Sequence, residues 1–333
     1  MLEPRLTFAC ELETRPLQEL FARSDVLSDL QDLGAGVAMG LLDFSAERAE
    51  VVRQLNRLGI PLTAWLLLPK EQGYWFNARN AAQARACYEA FKQWTRRYDL
   101  RWISLALDIE PDYHELQALL QGRVMPLLWP MLRRAFAREQ VLQARLAYGA
   151  LVRDMHRDGY FVESYQLPLI ADERHAGSVF VQGLLGLVDV PVDRETLMLY
   201  SSFLRPYGAA VLLAYAGEAD VVGVGSTGGG VDPGLAPPLS WEDLARDLRL
   251  AYRYSDHIFV FSLEGCVEQG FLPRLLEFEW DAPVELPTDL VERVQQLRRV
   301  LRGMLWTTAH PWAVAAGVLA VLLWTRRRRP RGG

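Results

Sequence analysis

Short apolar runs alternate with longer stretches carrying the spacing of amphipathic helices along almost all of the 333 residues of this chain. Extended segments are expected at 5–13, 35–44, 60–68, 101–110, 160–167, 195–203, 220–226 and 257–264. Helical stretches such as 16–33, 46–58, 78–98, 206–218 and 240–255 lie between them. Ser45 before Ala46-Glu47 and Ser240 before Trp241-Glu242-Asp243 are helix starts, because a serine hydroxyl there can accept from a first-turn amide. Strand followed by helix, repeated this often, predicts a mainly parallel sheet covered by helices. Eight extended segments favour an α/β chain closed into a (β/α)8, or TIM, barrel over an open doubly wound sheet. No G-x-G-x-x-G follows the first strand, which speaks against a dinucleotide site.

The fourth segment says where such a barrel would do chemistry. In Trp102-Ile103-Ser104-Leu105-Ala106-Leu107-Asp108-Ile109-Glu110-Pro111, the odd positions are aliphatic. The even positions run from small residues to two carboxylates. Successive strand side chains point to opposite faces, so Asp108 and Glu110 share one face at the C-terminal end, where barrels of this kind carry their active sites. The first strand repeats the design, with Glu11 and Glu13 opposite Leu6, Phe8, Cys10 and Leu12. The eighth is read the same way, with Ile258, Val260, Ser262 and Glu264 opposite Phe259, Phe261 and Leu263.

Composition removes some alternatives. The net charge is −5, and no basic stripe occurs outside the extreme C-terminus, so a nucleic-acid partner is not expected. Cys10, Cys87 and Cys266 show neither metal spacing nor a disulfide framework, although Cys10 and Cys266 would lie on neighbouring strands. His114, His156, His175, His257 and His310 show no ligand spacing, so no metal site and no cofactor is expected.

Two regions depart from the regular rhythm. Residues 112–158 are too long for one crossover helix, and Pro126 and Pro130 break any single smooth helix there. This helical insertion after strand 4 is expected either to pack as a hairpin on the barrel, to roof the site or to dip against a membrane. After a barrel domain at 1–302, residues 303–325 read as a transmembrane helix and 326–333 as a basic tail. Met304 to Trp324 carries no formal charge, Trp306, Trp312 and Trp324 suit an interfacial belt, and Arg326 to Arg329 form a stop. A single-pass membrane location through the C-terminus is the expectation. The arginine balance puts the barrel outside, whereas the Met-Leu-Glu-Pro start has no secretory signal, so the side is left open.

Asp108 and Glu110 carry the expected chemistry. Two like charges in a partly buried site raise the pKa of one member, which keeps a protonated carboxyl available near neutral pH. Such a group can protonate a glycosidic oxygen. Glu264 on strand eight and Glu163 on strand five are the candidates for a second carboxylate. Glu11 and Glu13 are candidates for binding sugar hydroxyls, and Tyr74, Trp75, Tyr113, Tyr165 and Tyr200 for stacking on sugar faces. Gly225-Ser226-Thr227-Gly228-Gly229-Gly230 after strand seven is either a phosphate cradle or a flexible loop.

Asp108-Ile109-Glu110 at the end of the fourth strand resembles the D-x-E ending of the catalytic strand in family-18, chitinase-like glycosidases, and Met198-Leu199-Tyr200 resembles that family's M-x-Y. The resemblance implies Glu110 as the acid and Asp108 as its partner. Ile103 and Ala106 replace further acids of the family's longer D-x-x-D-x-D-x-E, Ser201 stands for an Asp, and Glu264 for a Trp. The resemblance therefore implies a glycosidase-like barrel rather than the family's acetamido mechanism. The expected function is a membrane-anchored glycoside-hydrolase-like enzyme acting on a polysaccharide or glycoconjugate. A non-catalytic carbohydrate- or envelope-binding barrel and a metal-assisted phosphodiesterase-like barrel are the alternatives.

Overall fold

All eight expected segments form strands in a computed structural model, which describes residues 4–228, 237–313 and 316. They are β1 (Arg5–Cys10), β2 (Gly36–Leu41), β3 (Leu62–Leu66), β4 (Ser104–Ile109), β5 (Val162–Gln166), β6 (Arg194–Met198), β7 (Val221–Gly225) and β8 (His257–Phe261). Each pairs in parallel with the next, and β8 closes on β1, giving a barrel in sequence order. After β1 come α1 (Thr14–Phe21) and α2 (Ser24–Asp32); α3 (Ala46–Arg57) follows β2 and α4 (Ala81–Tyr98) follows β3. The insertion after β4 is three helices, α5 (Tyr113–Leu120), α6 (Met125–Ala135) and α7 (Arg138–Arg157). β5 leads to α8 (Leu169–Ala176) and α9 (Phe180–Leu185), β6 to α10 (Gly208–Tyr215), and β7 to α11 (Trp241–Tyr252). After β8 come α12 (Leu263–Glu268), α13 (Phe271–Leu276) and α14 (Thr288–Ala309). Ser45 and Ser240 cap α3 and α11 as expected, each hydroxyl accepting a first-turn amide at 3.2 Å.

Strand parity divides the core in two. Leu6, Phe8 and Cys10 of β1 and Leu105, Leu107 and Ile109 of β4 pack outward against the helices. Ala9, Trp65, Ala106, Tyr165, Met198, Phe259 and Phe261 fill the barrel interior. The reading of β1 and β4 is therefore correct. That of β8 is reversed: its aromatic face points inward and Ile258 and Val260 face the helices. The strand ends at Phe261, and Ser262 becomes the cap of α12, accepting from the Gly265 amide.

The loops above β1 and β2 are fixed by a fully buried arginine. Arg48 donates to the Gly40 and Leu12 carbonyls and to Asp43, each at 3.0 Å. Burial works against the Asp43 charge, but hydrogen bonds from Ser45, Thr14 and Arg48 outweigh it and hold Asp43 below the ordinary carboxylate range.

Of the expected membrane segment 303–325, residues 314, 315 and 317–325 lie outside the described residues. Its first part, through Ala309, belongs to α14, which packs on α8 and α10. Arg298 and Arg302 of α14 reach buried Asp172 on α8 at 2.9 and 2.6 Å. Among the described residues, no helix is long and apolar enough to cross a membrane.

Candidate active site

The barrel opens at the C-terminal ends of its strands into a cleft of about 330 Å³, at the small end of ligand pockets. Asp108 and Glu110 from β4 and Glu11 from just beyond β1 stand among its walls, with Trp65, Trp75, Tyr165, Met198, Tyr200, Phe259 and Phe261. No lysine or arginine lines it among the described residues.

Asp108 is 1% exposed. Its Oδ2 accepts the Trp65 indole N–H at 3.1 Å, and its Oδ1 makes no well-formed hydrogen bond. Burial, and then the neighbouring Glu110 and Glu11 charges, push Asp108 well up. Burial also raises Glu110, while a hydrogen bond from Asp108 pulls it back. Two adjacent carboxyls that cannot both ionise hold at least one proton between them near neutral pH. Glu110 is the less buried of the two and stands past the end of the strand.

Glu11 accepts a hydrogen bond from the Tyr74 hydroxyl. Burial outweighs that bond, and with the charges of Glu264 and Glu110 it pushes Glu11 up to about 8. The nearby cation is Lys70, which lies 5.1 Å from the Tyr113 ring centroid and 5.9 Å from that of Tyr74. It faces the outer rings rather than the cleft. Tyr74, Trp75 and Tyr113 contact one another edge-on or tilted, with centroids 5.2 to 5.9 Å apart. Of these three, Trp75 lines the cleft, while Tyr74 secures Glu11 from behind.

Several expected positions fall elsewhere. Glu163 has the right parity but the wrong height. It pairs with Ala106, one layer below the Tyr165–Asp108 pairing. At the N-terminal end of the barrel it meets Arg194 at 3.7 Å, so it cannot serve as the second carboxylate at the mouth. Glu264 sits in the first turn of α12, accepts the Glu11 amide at 3.3 Å and stands behind Glu11. Burial pushes it up to about 7, partly offset by backbone hydrogen bonds. Glu13 is exposed ahead of α1. The structure thus moves Glu11 from the ligand-binding set to the third acid of the cleft.

The glycine loop is also decided in part. The Ser226 amide donates to Ser202 Oγ, the Thr227 amide to the Phe261 carbonyl, and the Gly228 amide to Ser226 Oγ. These three donors are therefore not free to cradle a phosphate; Gly229 and Gly230 lie outside the described residues. Cys10, Cys87 and Cys266 are all free thiols. Among the described residues, no group of three or more His, Cys, Asp or Glu side chains is placed to hold a metal ion.

Sequence reasoning missed Trp65, Phe259, Phe261, Phe203 and Leu204 as cleft walls, and Leu116, Gln117 and Leu120 of α5 as its roof. Trp65 was detectable, because its inward parity on β3 sets it beside Ala106. A roof was one of the three expectations for the insertion at 112–158, although nothing in the sequence singled out α5 within it.

The geometry defines a (β/α)8 barrel with an acidic, aromatic-walled cleft at its C-terminal mouth. No family model and no curated protein matches the sequence. Solved structures similar to it include Saccharomyces cerevisiae Gas2p in complex with laminaritetraose and laminaripentaose. That chain is 10% identical, with 77% of this chain and 55% of that one covered and a TM-score of 0.43. A GH18 chitinase from Cycas revoluta in complex with (GlcNAc)3 is 12% identical over 81% and 98% of the two chains, with a TM-score of 0.41. A deoxyribose phosphate aldolase from Aeropyrum pernix is 14% identical over 80% and 89%, with a TM-score of 0.38. This chain spans about half the length of Gas2p. Identities and TM-scores at this level leave the function to be argued from the cleft.

Proposed function

We propose that this barrel hydrolyses a glycosidic bond in a polysaccharide or glycoconjugate by carboxyl acid/base catalysis. The observation that carries the reading is the Asp108–Glu110 pair at the barrel mouth, in a cleft that no lysine or arginine lines among the described residues. Glu110 gives the shared proton to the leaving glycosidic oxygen, and Asp108 holds that proton in place. The pair, left with one more negative charge, faces the positive charge developing on the sugar ring. Water supplies the hydroxyl that ends on the anomeric carbon and returns its proton to Glu110, with Glu11 beside the pair in the cleft wall. The aromatic walls offer apolar faces for the sugar and exclude water from the pair.

The protein is also proposed to be held at a membrane by the apolar segment that ends in Arg326–Arg329. A membrane pellet that retains the full chain through alkaline washing supports this, and release into the supernatant refutes it.

The test of function is to incubate the full chain with oligosaccharides of defined linkage and follow reducing ends. Release that depends on Glu110 supports the proposal. Saturable sugar binding without release makes this a carbohydrate-binding barrel. Neither binding nor release removes the carbohydrate reading.

A further inference from the structure

The insertion helix α6 is apolar where it is most exposed. Met125 is 80% exposed, Trp129 76% and Phe136, just past its end, 74%. Its other face is fixed against α9, where Gly183 permits the approach: a Cβ at that position would meet the Arg134 carbonyl oxygen at 2.5 Å. α14 shows the same division. Val294, Arg298 and Leu305 are buried, while Leu297 and Met304 are exposed on the same helix and Trp312, just beyond it, is 72% exposed.

These two apolar surfaces converge on one short piece of chain. The Phe136 ring meets Phe180 of α9 at a centroid distance of 5.5 Å. Two residues earlier, the Ser178 hydroxyl hydrogen-bonds the Thr308 hydroxyl of α14 at 3.0 Å. Exposed apolar groups this extensive on a folded domain mark an interaction surface.

We propose that α6 and the outer stripe of α14 form one surface that lies in the interfacial layer of a lipid bilayer. Three observations select lipid as the occupant. The chain leaving Trp312 continues without a charge to Trp324 and then enters four arginines, the composition of a segment that seeks hydrocarbon and stops at headgroups. Arg123, Arg133 and Arg138 are exposed beside the apolar residues of α6, where anionic headgroups would meet them. Trp129 and Trp312 are the ring type that settles at the membrane–water boundary. Because α5, joined to α6 by a short turn, roofs the cleft through Leu116 and Leu120, this surface sets the cleft beside the membrane. Its substrate is then a glycan carried at the bilayer surface. The inference rests on the membrane attachment proposed above and adds a second contact.

The test uses the full chain reconstituted in vesicles of phosphatidylcholine and phosphatidylglycerol. A fluorophore is attached through Trp129→Cys, Met304→Cys or Tyr254→Cys, the last in the exposed turn before β8. Unmodified protein corrects for Cys87. Spin-labelled lipid is expected to quench the probes at 129 and 304 by more than half and to leave the one at 254 bright. Quenching at 304 without quenching at 129 overturns the α6 contact and leaves the attachment standing. No quenching at either position overturns both. Shielding at 129 that appears without vesicles and grows with protein concentration shows a second copy on this face, and also overturns the proposal.

Discussion

The two ends of the barrel interior treat buried carboxyls in opposite ways. At the N-terminal end, Glu163 lies 3.7 Å from Arg194, and Arg194 donates to His257 Nδ1 at 3.2 Å. The His257 Nε2 is therefore the protonated nitrogen and donates to the Thr7 hydroxyl at 2.8 Å. Thr63 and Ser104 share a further hydrogen bond of 2.7 Å. Polar groups there have partners. At the C-terminal end Glu11, Asp108 and Glu110 crowd together in a cleft that no lysine or arginine lines among the described residues, and the Tyr165 hydroxyl is buried there without a hydrogen-bond partner. Buried polar groups are normally satisfied because leaving them bare costs about 1–3 kcal/mol each. One end of the barrel meets that requirement; the other leaves the Tyr165 hydroxyl bare.

The comparison breaks most visibly at Asp108. Asp108→Asn removes the group that shares the proton with Glu110, and kcat is expected to fall by about 100-fold or more. The melting temperature should hardly change, because the amide keeps the contact with Trp65. A loss of folding cooperativity in place of lost turnover would make Asp108 a structural residue.

The pH dependence of stability should carry opposite signs at Glu11 and at His257. Glu11 is raised from 4.5 to about 8, so the folded state binds its proton more tightly than the unfolded chain does. Stability is therefore lost as pH rises through that interval. His257 is lowered from 6.5 to about 4, by burial first and then by Arg194 and Arg5. It contributes stability above 6.5 that is lost as pH falls toward 4. Melting temperatures measured across pH should fall on both sides. Glu11→Gln should lessen the fall on the alkaline side, which Asp108, Glu110 and Glu264 share, and His257→Gln should lessen the fall on the acidic side alone. Crossed effects would mean that the ends are not independent.

Tyr165→Phe should have the smallest effect. Removing a buried hydroxyl that has no partner should leave stability unchanged or raise it by up to about 1 kcal/mol. A higher KM with little change in kcat would show that the hydroxyl serves the ligand. A clear loss of stability would mean that it is already satisfied within the protein.

The barrel was legible in the sequence because parallel strands buried on both faces and amphipathic crossover helices leave different spacings. The acid pair was legible because β4 carries it on one parity at the end of the strand. Two properties were not encoded so locally. The inward face of β8 is built from Phe259 and Phe261, so an apolar face there is the lining of the cleft and not its back. Height along the barrel axis is set by register with neighbouring strands, and that register, not parity, carried Glu163 to the opposite end. The prominence of Glu11 depends on Tyr74, distant in sequence, whose backbone takes the left-handed conformation (φ 64°) as the hydroxyl reaches the carboxyl.

The most direct test places the two ends side by side: oligosaccharide hydrolysis by Glu110→Gln and Glu163→Gln under the same conditions. The account predicts that Glu110→Gln loses about 10²–10⁴ in kcat while remaining folded. Glu163→Gln should keep the wild-type rate and lose only stability, by about 1–3 kcal/mol. Full activity in Glu110→Gln, or an equal loss in both, would contradict the assignment of the chemistry to the C-terminal mouth.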